Sequence, residues 1–206
     1  MEFSDVLRQR RMVRHYLDQP VDPEVTDRVI AAGLRAPSAG FSQGFALLVL
    51  TSAEDRARFW EVTDTEPETA SWPAETRAGV MRAPVIAIAL WCTRIYLDRY
   101  AKDDKGWTDR VAARWPVPFW HMDAAMASLL ILQTVVDEGL GACFFGIPPA
   151  HEADVRREFG IPEAFDPVGA ITIGHPADRE KPSGSPTTRR RKPMDDVVHR
   201  GSWGGH

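Results

Sequence analysis

The stretch FWHMDAAMASLLILQTVVDEGLG, residues 119–141, limits the possible folds more than any other part of the chain. It holds no proline, has no glycine before Gly139, and is rich in good helix formers. Apolar residues fall on nearly every side of its helical wheel, so no polar face is left for water. A helix of that kind belongs in the middle of a structure, with other elements packed around it.

What can surround it is readable from the flanking periodicity. FALLVLT (45–51) is a continuous apolar run of strand length and predicts a strand buried on both faces. APVIAIALWC (83–92), ACFFGI (142–147) and DPVGAITIGHP (166–176) read as further strands. A short helix is expected over 4–10 with Ser4 as its cap. Asp22 and Pro23 open a second helix that Pro37 should end near Arg35. Residues 53–63 return to helical spacing, and PAHEADVRREFG forms an exposed helix stopped by Gly160. Helices and strands mix without a regular βαβ beat. The expected fold class is therefore α+β, a small, mostly antiparallel sheet flanked by helices, with residues 1–206 as a single domain.

Bulk properties close off several functions. The 206 residues carry a net charge of −4, which disfavours a nucleic-acid partner. No apolar run approaches the ~20 residues of a membrane span. The start, MEFSDVLRQRR, lacks the apolar core of a signal peptide. Cys92 and Cys143 have no motif spacing and read as buried thiols of a reducing compartment. The expectation is a cytoplasmic protein without a membrane partner. With no G-x-G-x-x-G, no P-loop, no H-E-x-x-H and no cysteine cluster, neither a classical nucleotide fold nor a metal site is expected.

Two features remain that a plain scaffold would not need. Cations concentrate at both ends of a net-acidic chain: Arg8, Arg10, Arg11, Arg14 and His15 at one, Arg189, Arg190, Arg191 and Lys192 at the other. Such clustering costs self-repulsion unless an anion relieves it, and guanidinium forks suit a phosphate. The joint APSAGFSQGF (36–45) places Ser38, Ser42 and Gln43 beside Gly40 and Gly44. These polar groups could serve a planar heterocycle, and the glycines would let the backbone approach it closely. From charge alone, a solvated helix face and a loose basic tail explain the arginines without any ligand.

RRMVRHY, APSAGFSQGF, GLGACFFGIP and RRRKPMDDVVHRGSW, in that order and at those separations, resemble the FMN-dependent nitroreductase superfamily over essentially the whole chain. The resemblance implies an intertwined homodimer with FMN at the interface, and NADH or NADPH as electron donor. Arg10, Arg11 and Arg14 match the family's Arg-Arg-x-x-Arg motif at the FMN phosphate, ribityl chain and ring edge. Met12 stands where the family has a small hydroxylated residue, which leaves its backbone to serve the phosphate. Ser38, Ala39 and Gln43 match the loop that reaches the flavin of the neighbouring subunit. Phe145 and Gly146 fall where a backbone N–H lies near flavin N5, and Arg189 and Arg191 match a C-terminal basic pair that closes on the phosphate. No side chain is assigned as catalytic, since the cofactor carries the hydride chemistry.

The segment 93–120 corresponds to the family's lid, and 177–206 to a C-terminal arm. Phe41, Tyr100, Trp107, Trp115 and Phe119 are candidates for the substrate pocket, because flat aromatics suit a flat acceptor; packing of a subunit interface explains the lid aromatics as well. Asp123 reads as a helix-start residue favoured by the macrodipole, and His15, His121 and His175 as structural. The implied activity is a ping-pong transfer of hydride to a small nitroaromatic or quinone-like substrate. Gly-Phe-Ser-Gln (40–43) is also similar to the flavin-destroying, dimethylbenzimidazole-making branch, but the acidic residue at the place of Met12 and the serine within ACFFG are missing. Flavin fragmentation, oxygen use, and non-catalytic binding of a flavin or deazaflavin are the alternatives.

Overall fold

The computed structural model describes residues 1–63, 72–177 and 188–205. The C-terminal arm expected over 177–206 therefore lies partly outside the described residues. Strands β1 (Phe45–Leu50), β2 (Val85–Trp91), β3 (Gly141–Phe145) and β4 (Asp166–Gly174) form one sheet in the order β1-β2-β4-β3. Every neighbouring pair is antiparallel, with a register shift between Ala89 and Leu90 where β2 meets β4. The helices are α1 (Phe3–Gln9), α2 (Pro23–Gly33), α3 (Ala53–Thr63), α4 (Ala74–Met81), α5 (Thr93–Tyr100), α6 (Phe119–Asp137) and α7 (Pro149–Glu158).

The period-2 rule of strands sorts the sheet into two packed faces. Val85 and Ala87 of β2, with Ile171 and Ile173 of β4, face Val29 of α2 and Ile131, Leu132 and Val135 of α6. Ile86, Ile88 and Leu90, with Ala170, face Phe59 of α3 and Val155 of α7. Strand β2 is thus buried on both sides, which explains its unbroken apolar run. β1 differs from expectation: it is the sheet's edge, and of its residues only Leu50 is buried.

Local chemistry sets the helix ends. Asp22 caps α2 by accepting from the Glu24 N–H at 2.7 Å, with Pro23 in the first turn. α6 stops at a Schellman turn: Gly139 takes φ 73°, its N–H donates to Val136 O, and the Leu140 N–H to Val135 O. α7 ends the same way at Gly160, as its sequence predicts, through Ile161 N–H to Arg156 O. α1 begins one residue earlier than expected, with Glu2 at the cap and Ser4 inside the helix. α6 is apolar enough by composition to span a membrane, yet eight of its residues are buried within this fold.

The other sheet edge is closed by the chain itself. After α1, residues 10–16 run alongside β3. The Val13 N–H donates to Ala142 O at 2.8 Å, Met12 bridges Ala142, and the buried Tyr16 hydroxyl lies 2.8 Å from Val13 O and 3.0 Å from Thr172 Oγ1. This contact is possible because position 141 has no side chain: a Cβ there would lie 2.7 Å from Val13 Cγ2. Gly141→Ala should therefore cost about 1–3 kcal/mol or more by overpacking against a β-branched neighbour that cannot swing away. Gly139→Ala, where a Cβ meets open space but φ is positive, should cost about 1 kcal/mol. Urea unfolding of both variants checks the ranking.

Candidate functional site

The joint between α2 and β1 is a tightly bonded loop. A 3-10 turn, Ala39–Phe41, is followed by Ser42 and Gln43. Gly40, Phe41 and Gln43 all have positive φ, at 61°, 52° and 52°. Phe41 and Gln43 carry Cβ atoms, so this shape is strained by about 1–3 kcal/mol for each and persists only if its surroundings enforce it. Inside the loop, the Gln43 N–H donates to Ser38 Oγ at 2.9 Å and the Ser42 hydroxyl to Ala39 O at 2.6 Å.

The remaining enforcement comes from α5 and α6. Arg99 Nε donates to Gly40 O at 2.9 Å, and its other nitrogens grip Asp104 in a bidentate pair at 2.7 Å. A Cβ at Gly40 would sit 2.6 Å from the Tyr100 ring, and one at Gly44 2.2 Å from the Tyr96 ring. These glycines were expected to admit a ligand; what approaches them is the α5 tyrosines. Asp123 corrects the sequence reading more sharply. It lies inside α6, only 1% exposed, and its Oδ2 accepts from both the Ala39 N–H (2.9 Å) and the Tyr96 hydroxyl (2.7 Å). Burial, with the neighbouring carboxylate, pushes the Tyr96 phenol far above its ordinary value, so it stays a donor to Asp123.

The aromatics of 93–120 form one cluster. Trp115 is its hub, with ring centroids 4.5 Å from Tyr100, 5.6 Å from Trp107 and 5.6 Å from Phe119. Trp115 is buried and its Nε1 has no hydrogen-bond partner among the described residues, whereas Tyr100, Trp107 and Phe119 are half-buried and Phe41 is 74% exposed. Residues 93–120 thus have a small aromatic core of their own, and Trp115 belongs to it.

At the end of β3, Phe145 stacks on Trp60 at 5.9 Å and meets the edge of Trp72 at 5.2 Å. The Arg14 guanidinium lies over the Trp72 ring at 5.9 Å. Arg14 and Phe145 are therefore brought together through Trp72, a residue the sequence reading did not single out. Its only signal was an aromatic ahead of the Pro73 helix start. Gly146 is exposed, and a Cβ built there meets nothing within 4 Å. Arg10 is half-buried and Arg11 exposed, while Met12 is turned inward, its Sδ 3.4 Å from the Phe144 N–H. Arg189 and Arg191 are exposed, on a terminal segment that folds back on itself where His199 packs on Trp203 at 4.1 Å.

The histidines hold structural places. His15 Nδ1 approaches Gly79, and His175 Nε2 lies 3.3 Å from Pro20 O. His121 sits edge-on to Trp91 at 4.4 Å, and partial burial lowers its pKa, which keeps it neutral at pH 7.

The sequence profile of the nitroreductase family matches residues 7–175. A Methanothermobacter thermautotrophicus relative with a provisional NADH dehydrogenase/NAD(P)H nitroreductase name is 28% identical over 181 residues, 86% of this chain and 79% of its own. A Staphylococcus aureus NADPH-dependent oxidoreductase is 23% identical, covering 95% of this chain and 71% of that protein. Among solved structures, the nitroreductase family protein of Streptococcus pneumoniae superimposes with a TM-score of 0.74 over 97% of this chain and 100% of its own, at 19% identity. That of Clostridium novyi gives 0.68 over 100% and 96%, at 21% identity.

Burial separates the candidate aromatics by role. Trp115→Ala should remove about 3–5 kcal/mol of stability by emptying the lid core, while Phe41→Ala should stay within about 0.5 kcal/mol of the parent. Thermal unfolding of the two variants distinguishes them.

Proposed function

The chain belongs to the nitroreductase family, and from that premise we propose that it is an FMN-dependent oxidoreductase that draws electrons from NADH or NADPH. The relatives' names support the nicotinamide donor. One placement carries the flavin reading. The Arg10–Arg14 segment is fixed along β3 through Val13 and Ala142, and Arg14 reaches the strand end at Phe145 through Trp72, next to the open space at Gly146. A cationic cluster next to an uncovered backbone edge suits a phosphorylated, planar cofactor.

The residues present fit such a group. Arg10, Arg11 and Arg14, with the Met12 backbone, would hold its phosphate and ribityl chain. Ser38, Ala39 and Gln43 would border the ring system, although the Ala39 N–H is already committed to Asp123. The backbone at Phe145 and Gly146 would offer a donor where negative charge develops on reduction. That cofactor supplies two-electron chemistry when bound: hydride in from the nicotinamide and hydride out to a small aromatic acceptor, a nitroaromatic or a quinone, in alternating half-reactions. Phe41, with its exposed ring, and the half-buried faces of Tyr100, Trp107 and Phe119 would border the acceptor.

A homodimer is part of the reading. Met122 and Leu129 lie exposed on α6, Leu34 just past α2 and Trp203 on the terminal segment, and β1 is an edge strand of the sheet. Met122 and Leu129, seven residues apart on one helix, share a face, and an exposed apolar helix face suits association with a second copy. In a second copy, the exposed Arg189 and Arg191 would find the phosphate that their own chain's fold does not bring to them.

Purified protein mixed with FMN should show flavin absorbance that bleaches under anaerobic NADPH or NADH and returns on adding a nitroaromatic or quinone. Light scattering should give twice the chain mass. Arg10→Ala and Arg191→Ala should each weaken FMN binding by about 1.5–3 kcal/mol, the range for hydrogen bonds to charged groups. Retention equal to the parent in both variants would remove the phosphate assignment.

A further inference from the structure

We propose that Asp123 is a positioning residue: through Ala39 it holds the 38–43 loop in its cofactor-ready shape, and through Tyr96 it ties that shape to the lid. The proposal rests on the flavin reading above and assigns a role to a side chain outside the arginine and loop motifs.

The geometry points there from three directions. First, Asp123 is buried, and a buried carboxylate is tolerated only where donors compensate it. Both of its compensating donors lie outside α6, the Ala39 N–H at 2.9 Å and the Tyr96 hydroxyl at 2.7 Å. A residue needed only for its own helix would bond to that helix.

Second, the loop needs an outside anchor. Phe41 and Gln43 sit in the left-handed region, and the loop's own bonds, from Gln43 to Ser38 and from Ser42 to Ala39, are local ones that a relaxed loop could replace with water. The Ala39 bond reaches across 84 positions of sequence, and the Arg99 bond to Gly40 O across 59. These non-local bonds are the ones that select the strained conformation.

Third, the anchor is shared with the lid. Tyr96, Arg99 and Tyr100 have the i, i+3, i+4 spacing of one helix face, and that face of α5 lies against the loop at Gly44, Gly40 O and Gly40 respectively. Asp123 stands at the root of this contact, bonded to the loop and to α5 by the same oxygen. The lid therefore acts on the cofactor site through the loop it clamps.

Tyr96→Phe, Asp123→Asn and the double variant test this. Tyr96→Phe keeps the ring that fills the space beside Gly44, so it folds even if Asp123→Asn does not. In the cofactor-free protein, amide hydrogen exchange at residues 39–44 should rise about tenfold or more in either single variant, while the amides of β2 and β4 keep the parent's rates. FMN titrated by fluorescence quenching should bind about tenfold more weakly to Asp123→Asn and about threefold more weakly to Tyr96→Phe. The double variant should match Asp123→Asn, because Tyr96 works through the same carboxylate. FMN binding within about twofold of the parent in both single variants, or losses that multiply in the double, would overturn the positioning role alone. No FMN uptake by the parent would overturn the flavin reading and this proposal with it.

Discussion

The rest of the structure depends on covering α6. A helix with apolar residues on all sides cannot leave any face in water without cost. The sheet covers one side through β2, β3 and β4, α2 covers another, and α1 crosses a third. That demand explains why β2 and β4, which lie in the middle of the sheet, face α6 with Val and Ile, and why α2 carries Val29 inward. It also explains what is left over. Met122 and Leu129 remain exposed on α6, on a face left open among the described residues.

Much of this was legible from residue order. Each strand lies within a residue or two of its apolar run, and Asp22–Pro23, Gly139 and Gly160 set helix ends through chemistry that is wholly local. β1 shows where such reading stops. FALLVLT has the composition of a central strand, and sequence alone does not say whether a strand has one neighbour or two. The sheet order gives it one, which leaves it half-covered. Ser4 failed as a cap for a similar reason: once Glu2 supplies the first helical carbonyl to Asp5 and Val6, the helix has already begun.

The candidate site was legible in its motifs and hidden in its supports. The arginines and the glycine-rich loop stand out because they cluster in sequence. Asp123, Tyr96 and Trp72 do not, because each matters through partners far along the chain: Asp123 through Ala39, Trp72 through Arg14 and Phe145. An aspartate five residues into an apolar helix does carry a signal. A charge at a core position implies compensation from elsewhere. The same test would have questioned the glycines, whose missing Cβ atoms make room for the Tyr96 and Tyr100 rings.

These supports place the lid in a particular relation to the site. Trp115, Tyr100, Trp107 and Phe119 consolidate the lid as a unit, and a unit with its own core moves or stays as one body. Its links to the rest run through Tyr96, Arg99 and Tyr100 to the loop, and through Trp120 to Trp91 at 6.3 Å, at the end of β2. A displacement of residues 93–120 must therefore disturb the loop, and whatever orders the loop must also steady that segment. Coupling of that form needs no conformational relay beyond one carboxylate, one guanidinium and one helix face. It arises because the strained loop is held from two helices at once, by Asp123 of α6 and Arg99 of α5.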